Sequence, residues 1–243
     1  MTTLIIADPH EEIERLEAII ERFPADRVIV DGDYFDSFTQ SMEDTIRIAK
    51  WVKAHLDDPK YTLLLGNHDI HYGFKNPWLK CSGYNLAKQA IISHILSPED
   101  FRKMKLHSWA DGGWLVCHAG IHPSFAHPIH GLDKAWINKL CRETLVELHA
   151  GECPDFLRAG RARRGPVEVG GITWCDWAQE FEASPGLNQI VGHSCGTLPR
   201  KKTLSDSRNY CIDTRMNTVI VMTDGEPVLT SAETSMLPDW MNT

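Results

Sequence analysis

The chain has 243 residues, long enough for one sizeable core and short for two independent ones. Its 42% hydrophobic and 24% charged content is that of an ordinary globular protein, and no segment approaches the roughly 20 apolar residues needed to span a bilayer. A formal charge of −8 argues against a general nucleic-acid-binding surface.

The first third alternates strand and helix. The run Leu4-Ile5-Ile6-Ala7 reads as a strand, and residues 11–23 carry Ile13, Leu16, Ile20 and Phe23 on one helical face before Pro24 closes it. A strand is expected over 27–31. A helix begins near Ser41, where Ser41-Met42-Glu43-Asp44 resembles a capping box and Ile48, Val52 and Leu56 continue an apolar stripe. A strand over 61–65 completes a β-α-β-α-β unit, which implies parallel strands with helices packed on them. Residues 76–113 are less regular, with a helix expected around 84–95 and a further segment after Ser97-Pro98. Trp114-Leu115-Val116-Cys117 is a short buried strand, residues 131–149 a helix, and the glycine-rich stretch 150–170 a long loop. Gln189-Ile190-Val191 is another strand. The C-terminal part turns to β over 209–213, 217–222 and 227–230, with Asp224-Gly225 as a hairpin turn. Neither an internal repeat nor an obvious linker interrupts the chain, so a single domain over 1–243 is expected. The cysteines at 81, 117, 141, 153, 175, 195 and 211 are odd in number, scattered and without a CxxC pair. That pattern favours reduced thiols. With no export leader at the N-terminus, the expected location is cytoplasmic.

Five of the apolar runs end in residues that bind hard or borderline metals. These are Asp8-Pro9-His10, Asp31-Gly32-Asp33, Gly66-Asn67-His68-Asp69, His118 and Gly192-His193. In α/β sheets, ligands gather at the carboxyl ends of strands, so five such endings predict a metal site there. Asp8 and His10, two apart in extended backbone, project to the same side; taken alone, Asp8 and His10 read equally well as the N-cap of the next helix. The two oxygens of Asp33 can bridge a pair of cations. Asp36 is placed to orient an imidazole. Asn67 offers an amide oxygen, adjacent His68 points differently and can serve as a proton donor, and His118 and His193 supply nitrogens. Histidine ligation favours Mn2+, Fe or Zn2+ over Mg2+ alone, with Mn2+ the leading expectation.

The full set resembles the calcineurin-like metallophosphoesterase superfamily, whose pattern D-x-H, G-D-x-x-D, G-N-H-D/E, strand-borne His and G-H is matched in order along most of the chain. The stretches 117–123 and 210–214 are similar to the bacterial and phage PPP-type phosphatase branch. The resemblance implies an α/β fold: a two-sheet β-sandwich flanked by helices in four αββα layers, with a dinuclear metal site at the strand C-terminal ends. It implies two divalent metal ions, one held by Asp8, His10 and Asp33, the other by Asp33, Asn67, His118 and His193. A metal-bridging hydroxide would attack phosphorus, with His68 as general acid supported by Asp36. The implied activity is that of a phosphatase acting on a phosphorylated protein or small molecule. A dinucleoside-polyphosphate hydrolase, a nucleotide phosphodiesterase and a degenerate metal-binding scaffold are the alternatives.

Three positions depart from the pattern. Cys195 stands where many members carry a further histidine, and reads as a small buried hydrophobe rather than a ligand. Ser37 replaces a phosphate-gripping arginine, and Asp176 occupies a neighbourhood where related phage enzymes have another. The basic cluster Arg158, Arg161, Arg163 and Arg164 is either a solvated loop face or a replacement phosphate clamp. Arg161, Arg163 and Arg164 are therefore candidate substrate-binding residues. Trp174 and Trp177 read as packing residues, and His122, His127 and His130 as neighbours of the site mouth.

Overall fold

A computed structural model describes residues 1–232. Its first sheet is built on three parallel strands, β1 (Thr2–Ile6), β2 (Arg27–Val30) and β3 (Tyr61–Leu63), linked by α1 (Ile13–Arg22) and α2 (Met42–His55). A second sheet holds β4 (His107–Ala110), β5 (Trp114–Cys117), β6 (Gln189–Val191), β7 (Arg200–Leu204) and β8 (Ser207–Cys211), in the order β4-β5-β6-β8-β7. The strands β9 (Thr218–Thr223) and β10 (Glu226–Ser231) return to the first sheet and pair antiparallel beside β1, giving the order β10-β9-β1-β2-β3. The remaining helices are α3 (Asn67–Gly73), α4 (Leu86–Ile95), α5 (Pro98–Lys103) and α6 (Lys134–His149).

The alternation of side chains along each strand explains the layering. Ile5, Ala7 and Ile29 pack with Val116, Ile190 and Tyr210 of the facing sheet. Leu4, Ile6, Val28 and Val30 fall on the other face, in the cluster that includes Leu16, Ile48 and Val52 of the helices. Strands buried on both faces read as continuous apolar runs rather than alternating ones. The result is the expected α/β sandwich of two mixed five-stranded sheets with helices outside.

Several local expectations are corrected. The strand expected over 61–65 ends at Leu63, because Leu65 N donates to Lys105 O (2.8 Å) as the chain leaves β2. Residues 67–73, given no secondary structure above, form α3. The loop 150–170 contains two short 3-10 turns, Asp155–Leu157 and Arg161–Arg163. β4 and β7 were not expected. Both are edge strands, and β7 is Arg-Lys-Lys-Thr-Leu, half-exposed and basic, as edges commonly are. The hairpin at Asp224 (φ 53°) and Gly225 (φ 83°) has both central residues left-handed, as the two-residue turn requires. No helix among the described residues is long and apolar enough to cross a membrane.

The start of α2 follows its sequence closely. Ser41 N donates to Asp44 Oδ2 (3.0 Å) and Asp44 N donates to Ser41 Oγ (3.3 Å), the reciprocal pair of a capping box. Ser41→Ala should lower unfolding free energy by about 0.5–2 kcal/mol. In urea titrations the midpoint should fall with the slope unchanged; an unmoved midpoint would show that the cap contributes nothing.

Candidate active site

The carboxyl ends of β1, β2, β5 and β6 meet at one edge of the sandwich. Short backbone links tie them: Asp31 N donates to Ile6 O (3.0 Å), and Gly192 N to His118 O (2.7 Å). Here the chain leaves regular structure in an unusual way. Asp8 (φ 50°), His10 (φ 39°), Asp33 (φ 56°), Asp36 (φ 67°) and His193 (φ 62°) are all left-handed, a conformation that Asp and His tolerate better than most residues. Two glycines permit the close approach. A Cβ on Gly66 would collide with the Asp33 carboxylate, and one on Gly192 with that of Asp8.

Asp33 lies at the centre. Its Oδ1 accepts from His68 N (2.9 Å), and its Oδ2 lies 3.7 Å from His10 Nε2 and 3.3 Å from His118 Nε2. Two triads whose ligand atoms lie within 4.8 Å of one another share it, Asp8–His10–Asp33 and Asp33–His118–His193. Asn67 joins the second through Oδ1, 3.0 Å from His118 Nε2. The imidazoles are turned for ligation. His10 Nδ1 is 2.8 Å from Phe35 O and His118 Nδ1 is 3.2 Å from Asp31 O, which directs each Nε2 inward. His193 Nε2 is buried and has no hydrogen-bond partner.

The electrostatics point the same way. Burial, with Asp213, Asp31 and Asp33 close by, holds the Asp8 carboxyl well above its ordinary value. Burial likewise raises Asp31 and Asp213. Asp33 is also desolvated, but His118, His68 and His10 outweigh that and hold it well below the usual range. Burial and the neighbouring His118 and Arg163 push His193 well down, so its imidazole is neutral and its lone pair available. Crowded, buried carboxylates beside a neutral, orphaned imidazole nitrogen are a donor set that cations would satisfy. The residues fit a metal centre.

His68 stands beside this group. Its Nδ1 is 3.0 Å from Asp36 Oδ2, and Asp36 also receives the Tyr72 hydroxyl. Burial would lower the His68 pKa, yet Asp33 and Asp36 raise it well above the ordinary value. Burial acts against Asp36, but contacts with His68, His71 and Tyr72 lower its pKa to about 2. Asp69, which the sequence left without a role, accepts from Asp33 N (2.7 Å), Gly66 N (2.8 Å) and Tyr34 N (2.9 Å) and so clamps two site loops together.

A cleft of about 450 Å3 opens over the centre. Asp8, His10, Asp33, Asp36, Asn67, His68 and His193 line it, while His118 is fully buried beneath. Of the three candidate arginines only Arg163 lines the cleft; Arg161 and Arg164 do not. Arg163 is held by Asp176 Oδ2 (2.8 Å) and Ser194 Oγ (3.2 Å), so Asp176 orients a cation there. Arg215 lines the cleft too, with no counterpart among the residues read from sequence, and Asp213 stands in the stretch 210–214 noted there without a role; both follow β8 in the same way that the other site residues follow their strands. Trp174 lies at the cleft, its ring edge-on to His193 at 5.5 Å, whereas Trp177 stacks on Phe181 in the core. Phe38 reaches the cleft with 79% of its surface exposed. Cys195 is exposed at the rim, contrary to the buried position expected of it. His122, His127 and His130 do not line the cleft.

Comparison with curated proteins returns no match. Among solved structures the chain is similar to a cold-active protein-tyrosine phosphatase of the psychrophile Shewanella sp., at 12% identity and a TM-score of 0.61, over 95% of this chain and 78% of that one. It is also similar to a protein serine/threonine phosphatase from Saccharomyces cerevisiae, at 13% identity and a TM-score of 0.52, over 98% of this chain and 82% of that one. At such identities the likeness is one of fold. The family model described as calcineurin-like phosphoesterase matches residues 1–194, which takes in the ends of β1, β2, β3, β5 and β6 that converge on the Asp33 centre. On that match, the chain belongs to the calcineurin-like phosphoesterase family.

Proposed function

We propose that the chain is a dinuclear metal-dependent phosphatase acting on phosphate monoesters. The observation that carries this reading is the sharing of Asp33 between two ligand triads directly beside His68. Asp8, His10 and Asp33 would hold one divalent ion, and Asp33, Asn67, His118 and His193 the other, with Mn2+ as the leading candidate and Fe or Zn2+ as alternatives. Such ions, when bound, supply positive charge to the phosphoryl oxygens and make the attacking water more acidic.

The chain's own groups do the remaining work. Asp36 holds Nδ1 of His68, which leaves Nε2 to carry a proton to the departing oxygen. Arg163 and Arg215, the arginines of the cleft, suit the oxygens of a dianionic phosphate. The net acidity of the chain disfavours a polynucleotide. Phe38 and Trp174 at the cleft favour one second reading, a dinucleoside-polyphosphate hydrolase in which an aromatic edge holds a base. A panel of phosphopeptides, mononucleotides and diadenosine polyphosphates, assayed with Mn2+, separates the two. Turnover of none of them by metal-replete protein would overturn both.

Asp33→Asn should weaken both ions at once, giving less than half the wild-type metal content by elemental analysis; wild-type stoichiometry in the variant would remove Asp33 from the shared position. His68→Ala should keep its metal and lose on the order of 10²–10⁴ in kcat for an alkyl phosphate, with a much smaller loss for nitrophenyl phosphate, whose leaving group needs little protonation. Equal losses for both substrates would exclude the acid role. Arg163→Ala should lower kcat/KM by about 10–100-fold with metal content unchanged, as for loss of a charge-assisted hydrogen bond of roughly 1.5–3 kcal/mol. Arg161→Ala and Arg164→Ala serve as comparisons and should stay near wild type. Wild-type kinetics for Arg163→Ala would assign the grip elsewhere.

A further inference from the structure

Beside His68 a further group of metal-binding side chains converges, with Cys81 Sγ 3.6 Å from Asn67 Nδ2. Asp36, His71 and Cys81 each offer one ligand atom, and these lie within 4.8 Å of one another. His71 Nδ1 is 3.3 Å from Cys81 Sγ. His71 Nε2 is buried and pairs with Asp36 Oδ2 at 2.9 Å. Burial opposes its charge, but contacts with Asp36 and Cys81 raise its pKa to about 9, so an ion bound through this imidazole takes the place of a proton. Neither His71 nor Cys81 belongs to the triads that share Asp33.

The donor chemistry differs from that of the Asp33 centre. A thiolate, an imidazole and a carboxylate form the borderline-soft set that selects zinc, whereas the sulfur-free set of carboxylates, imidazoles and an amide around Asp33 also suits harder ions. A tetrahedral Zn2+ with Zn–S near 2.3 Å and Zn–N near 2.0 Å separates neighbouring ligands by roughly 3.3–3.6 Å. The spacing between His71 Nδ1 and Cys81 Sγ already matches, whereas Asp36 faces Nε2 of the same ring and must swing toward an ion held at Nδ1. The loop that delivers the sulfur is held in place, since a Cβ added at left-handed Gly83 (φ 90°) would press on Asp36 Cβ at 2.7 Å. The two oxygens of Asp36 are divided: the Tyr72 hydroxyl and Lys88 approach Oδ1, while Oδ2 is shared between His68 Nδ1 and His71 Nε2.

We propose that Asp36, His71 and Cys81 form an inhibitory Zn2+ site. A zinc ion there takes the same Asp36 oxygen that holds His68 Nδ1. His68 Nδ1 itself lies 3.5 Å from Cys81 Sγ, close enough to complete the tetrahedron in place of a water. Either way His68 loses its orientation, and the enzyme is silenced with its Asp33 centre still loaded.

The test uses the full chain saturated with Mn2+ and titrated with Zn2+, reading bound zinc, retained manganese and turnover of an alkyl phosphate. One zinc per chain should bind without loss of manganese, and turnover should fall in parallel. Cys81→Ser and His71→Gln should each weaken zinc uptake by at least about 10–100-fold, since even losing a residue that only orients a ligand costs that much. Inhibition should weaken equally, with each variant compared to its own zinc-free rate. Co2+ in place of Zn2+ should give a thiolate charge-transfer band in wild type and in Cys195→Ser, and none in Cys81→Ser. Zinc uptake by Cys81→Ser equal to wild type, or one manganese expelled for each zinc bound, would overturn the proposal. Metal uptake and the cobalt band need no turnover, so the test stands even if the phosphatase reading fails.

Discussion

Mutual repulsion among buried carboxylates is the constraint around which this molecule is arranged. Asp8, Asp31, Asp33 and Asp213 are each at most 4% exposed and close enough to raise one another's pKa or be held down only by histidines. Such a cluster is costly in a low-dielectric interior unless positive charge accompanies it. The sandwich supplies the setting: two sheets deliver several strand ends to one edge, where the backbone leaves the hydrophobic layer and can turn its acids and imidazoles toward a common point. The left-handed turns at Asp8, His10, Asp33, Asp36 and His193 are a further cost of that convergence. Local preference is overridden at the site and satisfied elsewhere, as in the capped start of α2 and the hairpin at Asp224-Gly225.

Much of this was legible in the sequence because strands buried on both faces must be continuous apolar runs, and because a chain that exits such a run into Asp, His or Asn announces where it meets solvent. The β1, β2, β5 and β6 endings carry that signature, and their residues lie together in the structure. What could not be read depends on contacts between distant segments. β7 has no apolar run, since an edge strand needs none. Arg163 and Arg161 are indistinguishable in a glycine-rich loop; only the pairing of Arg163 with Asp176 and Ser194 brings one of them to the cleft. Arg215 and Asp213 follow β8 and obey the same strand-end rule, so a stricter application of that rule finds them. Trp174 was taken for packing because a lone aromatic carries no sign of which wall it faces.

The environment of Asp36 joins His68 to the rest of the fold. One oxygen meets His68 and His71, the other meets the Tyr72 hydroxyl and, at 3.9 Å, Lys88, which also pairs with buried Glu11. Residues from α3 and α4 therefore converge on one carboxylate, and Glu11, just ahead of α1, is joined to it through Lys88. Full pairing of this kind rigidifies a buried polar group and fixes the direction of the imidazole it holds.

The three N–H groups that Asp69 gathers have a consequence for motion. They come from Asp33, Tyr34 and Gly66, in loops that follow two different strands, and Asp69 itself opens the helix that bears Asn67 and His68. With the two loops fastened to a single side chain, a drift of β3 against β2 would carry Asp33, Asn67 and His68 together. The spacing among them is thus insulated from breathing of the sheet, because Asp33, Asn67 and His68 shift as one body.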